Sequence, residues 1–194
     1  MKKSLFLLIA AALMAVGVNA SAQVGVGVGP TSRFYYEKGQ DVNYTYGVQL
    51  GLDDSKRFSD YFGYSAGVDF GTYGRKDFFK EGAGLTELYV DIPVRLKLYI
   101  PFSQNFQLYF FGGVVPSVCI TSLKKTENNT RFSRFDGVTD YSRYDVLAGG
   151  GLGVELNETF RFSVGYDHGL LDRYRNDEVL NVAAVKFTFA VLFY

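Results

Sequence analysis

From Glu87 to Pro116 the chain reads ELYVDIPVRLKLYIPFSQNFQLYFFGGVVP, and its first half alternates without a slip. Leu88, Val90, Ile92, Val94, Leu96, Leu98 and Ile100 share one parity; Glu87, Tyr89, Asp91, Pro93, Arg95, Lys97 and Tyr99 share the other. A period of two places these sets on opposite faces of an extended strand. The run is ~14 residues long, well beyond the usual five or six of a globular sheet. The segment 101–105 then reverses the chain into a second alternating run, Phe106 to Val114. Long, two-faced, hairpin-linked strands with charges on one face predict a transmembrane β-barrel.

The first residues point to export. Lys2 and Lys3 precede an apolar run from Leu5 to Val18, and Ala20-Ser21-Ala22 offers an Ala-x-Ala cleavage site. Residues 1–22 therefore read as a cleaved secretory signal and 23–194 as one barrel domain. The apolar run is too short to span a bilayer comfortably as a helix, and no later stretch approaches ~18 apolar residues. Lys2 and Lys3 count among 20 bases set against 20 acids, so the exported chain is slightly acidic and gives no sign of nucleic-acid binding. Cys119 is the single cysteine, which excludes an intramolecular disulfide.

Eight extended runs follow, at 24–36, 44–53, 61–74, 85–100, 106–120, 142–156, 160–172 and 181–194. The first, third, fifth and seventh connections are on average the longer ones, as extracellular loops are in outer-membrane barrels whose termini lie on the periplasmic side. The fold expected is all-β: an eight-stranded antiparallel up-and-down transmembrane β-barrel, a closed form without exposed edges.

The inward face follows from the glycines. Gly47, Gly51, Gly63, Gly67, Gly71, Gly113, Gly149, Gly151, Gly153 and Gly165 share the parity of the charged residues. Glycine weakens a strand and gains nothing on a wet surface, whereas a narrow barrel must alternate small and large side chains. The polar face is thus inward and the apolar face meets lipid. Two aromatic groups are expected as interfacial girdles. Phe58, Tyr61, Phe62, Tyr99, Phe102, Phe106, Phe160, Phe193 and Tyr194 lie by the short turns and the C-terminus. Tyr35, Tyr36, Tyr44, Tyr46, Tyr73, Phe78, Phe79, Tyr141, Tyr144, Tyr166 and Tyr174 lie at the opposite ends.

The segment Glu87–Lys97 is similar to the "yleIPlllKy" strand of the PorT-like small outer-membrane β-barrels. The resemblance continues through Gly112-Gly113, through Tyr144-Asp145 leading into Gly149–Glu155, and through Val164-Gly165-Tyr166 before His168-Gly169-Leu170. It implies an OmpA-type eight-stranded barrel in the outer membrane. The family's namesake is tied to a protein-secretion apparatus, and function does not transfer with fold.

The inward charges are six acids (Asp69, Glu87, Asp91, Asp145, Glu155, Asp167) against four bases (Arg95, Lys97, Arg161, Lys186). They read as a structural network filling a lumen too narrow for a permanent pore. The two surplus acids predict a carboxylate that is protonated or reaches water near a mouth. His168 is the only histidine, so a lipid-modifying enzyme would have to use it, with Ser163 or Ser142 as nucleophile. The glycine runs at 25–29 and 149–153 lead into no helix, and Asp136 and Asp140 lack the spacing of a calcium loop. No catalytic residue, cofactor or metal is expected. The 121–141 segment, with Lys124, Lys125, Arg131, Phe132, Arg134 and Phe135, is the candidate contact surface. The function expected is non-enzymatic, structural or interactive, with outer-membrane lipid and envelope or secretion-system proteins as partners. The alternative is a soluble periplasmic lipocalin-like carrier, which needs an apolar lumen and a charged exterior.

Overall fold

The computed structural model describes residues 23–37, 42–80, 83–103, 105–125, 131–133, 142–173 and 180–193; the signal segment 1–22 lies outside them. The described elements are all strands: β1 (Gln23–Glu37), β2 (Asn43–Arg57), β3 (Phe62–Lys80), β4 (Ala83–Asp91), β5 (Val94–Ser103), β6 (Phe106–Lys125), β7 (Arg131–Ser133), β8 (Tyr144–Leu156), β9 (Phe160–Gly169) and β10 (Leu180–Phe193). Each pairs antiparallel with its neighbour, and the β1–β10 and β2–β3 ladders close the ring.

Nine of the ten elements make eight staves. β4 and β5 lie end to end between β3 and β6, with Asp69 opposite Asp91 and Ala66 opposite Val94, so the register carries straight through. The gap is Pro93, which has no N–H to give. Around it Ile92 N donates to Pro116 O at 2.8 Å and Gly67 N donates to Pro93 O at 3.0 Å. The uninterrupted run expected over 85–100 is therefore one stave with a nick. β7 stands outside the ring and pairs only with β6 among the described residues.

Two connections differ from the sequence expectation. The segment 75–84, expected as a long loop, is mostly strand: β3 runs to Lys80 and β4 begins at Ala83, with a register shift between Arg75 and Lys80. Part of 121–141 is also ladder, because β6 continues to Lys125 and pairs with both β4 and β7. At the opposite end the β8–β9 turn is tight. Asn157 and Glu158 both have positive φ (51° and 55°), and Thr159 N donates to Leu156 O at 3.0 Å, closing a three-residue connection between the paired Leu156 and Phe160.

Alternation decides what faces where. Val26, Leu50, Leu96, Phe162, Phe187 and Phe189 are exposed on the outer wall, while Arg33, Glu87, Arg95, Lys97, Glu155, Arg161 and Lys186 are buried within. A soluble carrier would show the reverse arrangement. Phe58, Tyr61, Phe62, Phe102, Phe106, Phe160 and Phe193 ring one outer rim, and Tyr36, Tyr46, Tyr144 and Tyr166 the other. Tyr35, Tyr73 and Tyr99, expected in the girdles, are instead buried in the lumen with Tyr89 and Tyr109. Their parity is that of the charges, and rings fill the space that glycines leave. Gly153 faces Tyr109 and Gly151 faces Phe111 across the β6–β8 ladder. A Cβ on either would stand 2.5 Å or 2.6 Å from the opposing ring, so each glycine is the seat for an aromatic side chain.

Candidate functional site

Strand pairing sets the central problem of the lumen. Asp69 on β3 and Asp91 on β4 face each other in register, two like charges on one inner face. Such a pair is unfavourable unless a cation stands between. Lys186, reaching across from β10, supplies it, with Nζ 2.8 Å from Asp91 and 3.3 Å from Asp69. Arg33 on β1 donates to both Asp91 oxygens at 2.9 and 3.0 Å, and Ser117 Oγ donates to the same carboxylate at 2.5 Å. The Arg33 guanidinium is fully buried, 3.6 Å from the centroid of Tyr89 and 4.8 Å from that of Tyr73. Those ring faces stabilise a cation that carboxylates reach from one side only.

Nearer the extracellular mouth, Glu87 accepts hydrogen bonds from the hydroxyls of Tyr35, Tyr89 (3.1 Å) and Ser122 (2.7 Å). Asp145 accepts from the backbone N–H groups of Val146 (2.8 Å) and Leu171 (3.3 Å) and lies 3.8 Å from Arg173. At mid-height Arg95 donates to Asp167 at 2.5 Å and to Gly149 O at 3.1 Å. On the periplasmic side Arg161 links Glu155 (3.0 Å) and Asp53 (2.7 Å), Arg57 meets Glu155 at 2.7 Å, and Lys97 donates to Ser55 Oγ at 2.8 Å. These pairs span the lumen from wall to wall and fill it with side chains.

All ten charges assigned to the lumen from sequence face inward and join this network. Four more belong to it: Arg33, Asp53, Arg57 and Arg173. They correct the expected acid surplus, since the described lumen holds seven acids (Asp53, Asp69, Glu87, Asp91, Asp145, Glu155, Asp167) and seven bases (Arg33, Arg57, Arg95, Lys97, Arg161, Arg173, Lys186). Arg33 and Asp53 were within reach of parity, on the same face as Gly27 and Gly51. Arg57 and Arg173 lay beyond the ends of the runs that alternation marks.

His168 sits on the outer face near the extracellular rim, its Nδ1 3.4 Å from Tyr166 Oη and its ring 6.3 Å from that of Tyr36. Ser163 lines the lumen on the other face, and Ser142 Oγ donates to Tyr144 O at 3.2 Å. The structure brings neither serine to the imidazole. Cys119 is buried and free, its thiol donating to Thr121 O at 3.4 Å. Among the described residues no group of three His, Cys, Asp or Glu could hold a metal ion. Of the expected contact surface, Lys124 and Lys125 lie on β6 and Arg131 and Phe132 on β7, with Lys124 opposite Phe132 and Lys125 opposite Arg131. Arg134 and Phe135 lie outside the described residues.

A closed antiparallel ring with an apolar outside, aromatic rims and a charged, filled inside defines a small transmembrane barrel of the outer membrane of Gram-negative bacteria. The family model for the outer membrane protein β-barrel domain matches residues 5–193, and the chain belongs to that family. No curated protein matches it. Among solved structures it is similar to Ail, the attachment invasion locus protein of Yersinia pestis, with 15% identity and a TM-score of 0.56 over 89% of this chain and 99% of that one. A second Ail structure, in complex with the heparin analogue sucrose octasulfate, gives 13% identity and a TM-score of 0.55 over 89% and 99%. Neisserial surface protein A gives 10% identity and a TM-score of 0.52 over 89% and 97%. These likenesses are of fold.

Proposed function

We propose that the protein is a non-enzymatic surface barrel whose extracellular strand extensions form an interaction platform for an anionic partner. The observation that carries this reading is strand length. β3 and β6 have 19 and 20 residues, against 15 or fewer in the other staves apart from the nicked β4–β5. The β2–β3 ladder ends at Tyr46 opposite Gly74, while β3 goes on with β4 to Lys80 and β6 goes on with β4 and β7 to Lys125. One side of the mouth therefore rises as a four-stranded extension. Its strands carry Arg75, Lys76, Lys80, Lys124, Lys125 and Arg131 against Asp77, and the sequence between them adds Glu81 and Glu127, which leaves an excess of three positive charges. Clustered cations favour anionic partners and speed their approach.

The Ail complex with a heparin analogue makes a sulfated polysaccharide the first partner to test. Cells displaying the barrel should adhere to immobilised heparin. The triple change Lys124→Glu, Lys125→Glu, Arg131→Glu should abolish adhesion while leaving the barrel folded. Equal adhesion by both would refute the platform. The resemblance of 87–97 to the PorT-like strand supports a second role, as an envelope component of a secretion system. Recovery of secretion-apparatus proteins with the cross-linked, affinity-purified barrel would favour it.

A further inference from the structure

Arg75 is a cation that leaves the lumen for the outer wall. On β3 it follows Tyr73, which is buried inside, and Gly74, where the β2–β3 ladder ends opposite Tyr46. Its parity is that of Tyr73, yet its side chain does not join the lumenal charges. The β3–β4 register shifts from Arg75 onwards, an irregularity of the kind that re-aims a side chain. Tyr44 alternates with the buried Thr45 and so faces outward. The Arg75 guanidinium carbon stands 4.3 Å from the centroid of that outward ring, and Nη1 donates to Tyr44 O at 3.3 Å. The Tyr44 ring in turn meets the Tyr46 ring edge to face at 5.2 Å, and Tyr46 is 63% exposed.

The ring and the carbonyl hold the guanidinium in place but use a single N–H group. Arg75 is half-buried and meets no carboxylate among the described residues, so its other donors are left for a partner from outside the protein. Its height is that of the outer tyrosines Tyr36, Tyr46, Tyr144 and Tyr166, the level at which aromatic girdles meet lipid headgroups. Beside it the wall is bare. A Cβ on Gly74 would meet only Leu85 O, at 3.5 Å, and Thr72, the next outward residue of β3, is exposed below. The gap is bordered by a fixed guanidinium, the exposed face of Tyr46 and hydroxyl donors.

We propose that this gap binds a phosphorylated sugar headgroup of the outer leaflet, lipid A, with the phosphate on Arg75 and the sugar against Tyr46. Guanidinium and phosphate pair through two parallel N–H···O bonds, and a guanidinium stacked on a ring is already oriented for them. The bilayer beside the pair lowers the local dielectric and strengthens it. The amphipathic tyrosine face suits a sugar, which carries apolar C–H groups beside its hydroxyls. The site lies at headgroup level, below the strand extension that faces a partner outside the membrane.

The test is native mass spectrometry of the purified, folded barrel titrated with phosphorylated lipid A, the same lipid after phosphatase treatment, and phosphatidylglycerol. Wild type should bind phosphorylated lipid A about tenfold more tightly than the dephosphorylated form, and more tightly than phosphatidylglycerol. Equal binding of the two lipid A forms, or phosphatidylglycerol binding as tightly as phosphorylated lipid A, overturns the proposal without any variant. Arg75→Gln, checked for folding by its heat-dependent gel mobility, should bind both forms of lipid A alike; an undiminished preference for phosphate overturns the assignment. The triple change Lys124→Glu, Lys125→Glu, Arg131→Glu should keep the wild-type preference. Its loss there places the phosphate on the extension instead and overturns the proposal.

Discussion

Asp91 is the carboxylate on which the most charge converges, and its removal is the sharpest test of the lumenal network. It accepts from Arg33 at 2.9 and 3.0 Å, from Lys186 at 2.8 Å and from Ser117 at 2.5 Å, and it is buried. Asp91→Leu leaves the Arg33 guanidinium without its carboxylate inside a low-dielectric barrel, while Lys186 keeps Asp69. Breaking a buried pair from one side costs about 3–5 kcal/mol, and the loss should lie in that range. The double change Arg33→Met with Asp91→Leu removes one charge of each sign and leaves Lys186 and Asp69 matched. It should therefore be markedly more stable than Asp91→Leu alone, giving a coupling of about 2 kcal/mol or more in a double-mutant cycle. Urea unfolding of the barrel in lipid vesicles reads both quantities. A loss below about 1 kcal/mol for Asp91→Leu, with an unchanged denaturant slope, would refute the view that the network stabilises the fold.

Other expectations follow from the same coordinates. Arg57, whose side chain is 35% exposed beside Glu155, should cost no more than about 1 kcal/mol when changed to Leu, measured in the same unfolding assay. Arg at Val94 or Phe189, both on the outer wall, should cost about 2–4 kcal/mol near the bilayer midplane, whereas detergent-free solubility of either variant would contradict a lipid contact. Gly71→Ala places a Cβ 2.7 Å from the Tyr73 ring and should destabilise by about 1–3 kcal/mol, with Tyr73→Ala in the same chain returning part of that loss. His168→Ala should leave lipid A and phospholipid profiles unaltered; a changed profile by mass spectrometry would favour the enzymatic reading.

Much of the architecture was legible because one rule, period two, governs every stave and the two faces meet opposite solvents. The inward set Asp69, Asp91, Arg95, Asp167 and Lys186 is a direct reading of that rule. What alternation cannot see is which charges meet, because Arg33 and Lys186 reach Asp91 across the lumen from strands distant in sequence. Nor does it reach past strand ends, so Arg173, beyond Gly169, was missed as a lumenal cation. Tyr35, Tyr73 and Tyr99 depart from the girdle expectation because nearness to a strand end does not override parity: they share the parity of the charges and turn inward. The extensions of β3 and β6 escaped for another reason: 75–80 and 121–125 lose apolar alternation once above the membrane, although their backbones continue to pair.

The central claim is that the charged face is inside and the apolar face meets lipid. The natural chain contains no tryptophan, so a single introduced indole reports alone. Phe189→Trp on the outer wall and Tyr109→Trp in the lumen should be compared in vesicles of lipid brominated at mid-chain. Strong quenching of the first with little quenching of the second is the predicted result. Quenching of the lumenal probe alone, or of neither, would contradict the inside–outside assignment on which the account rests.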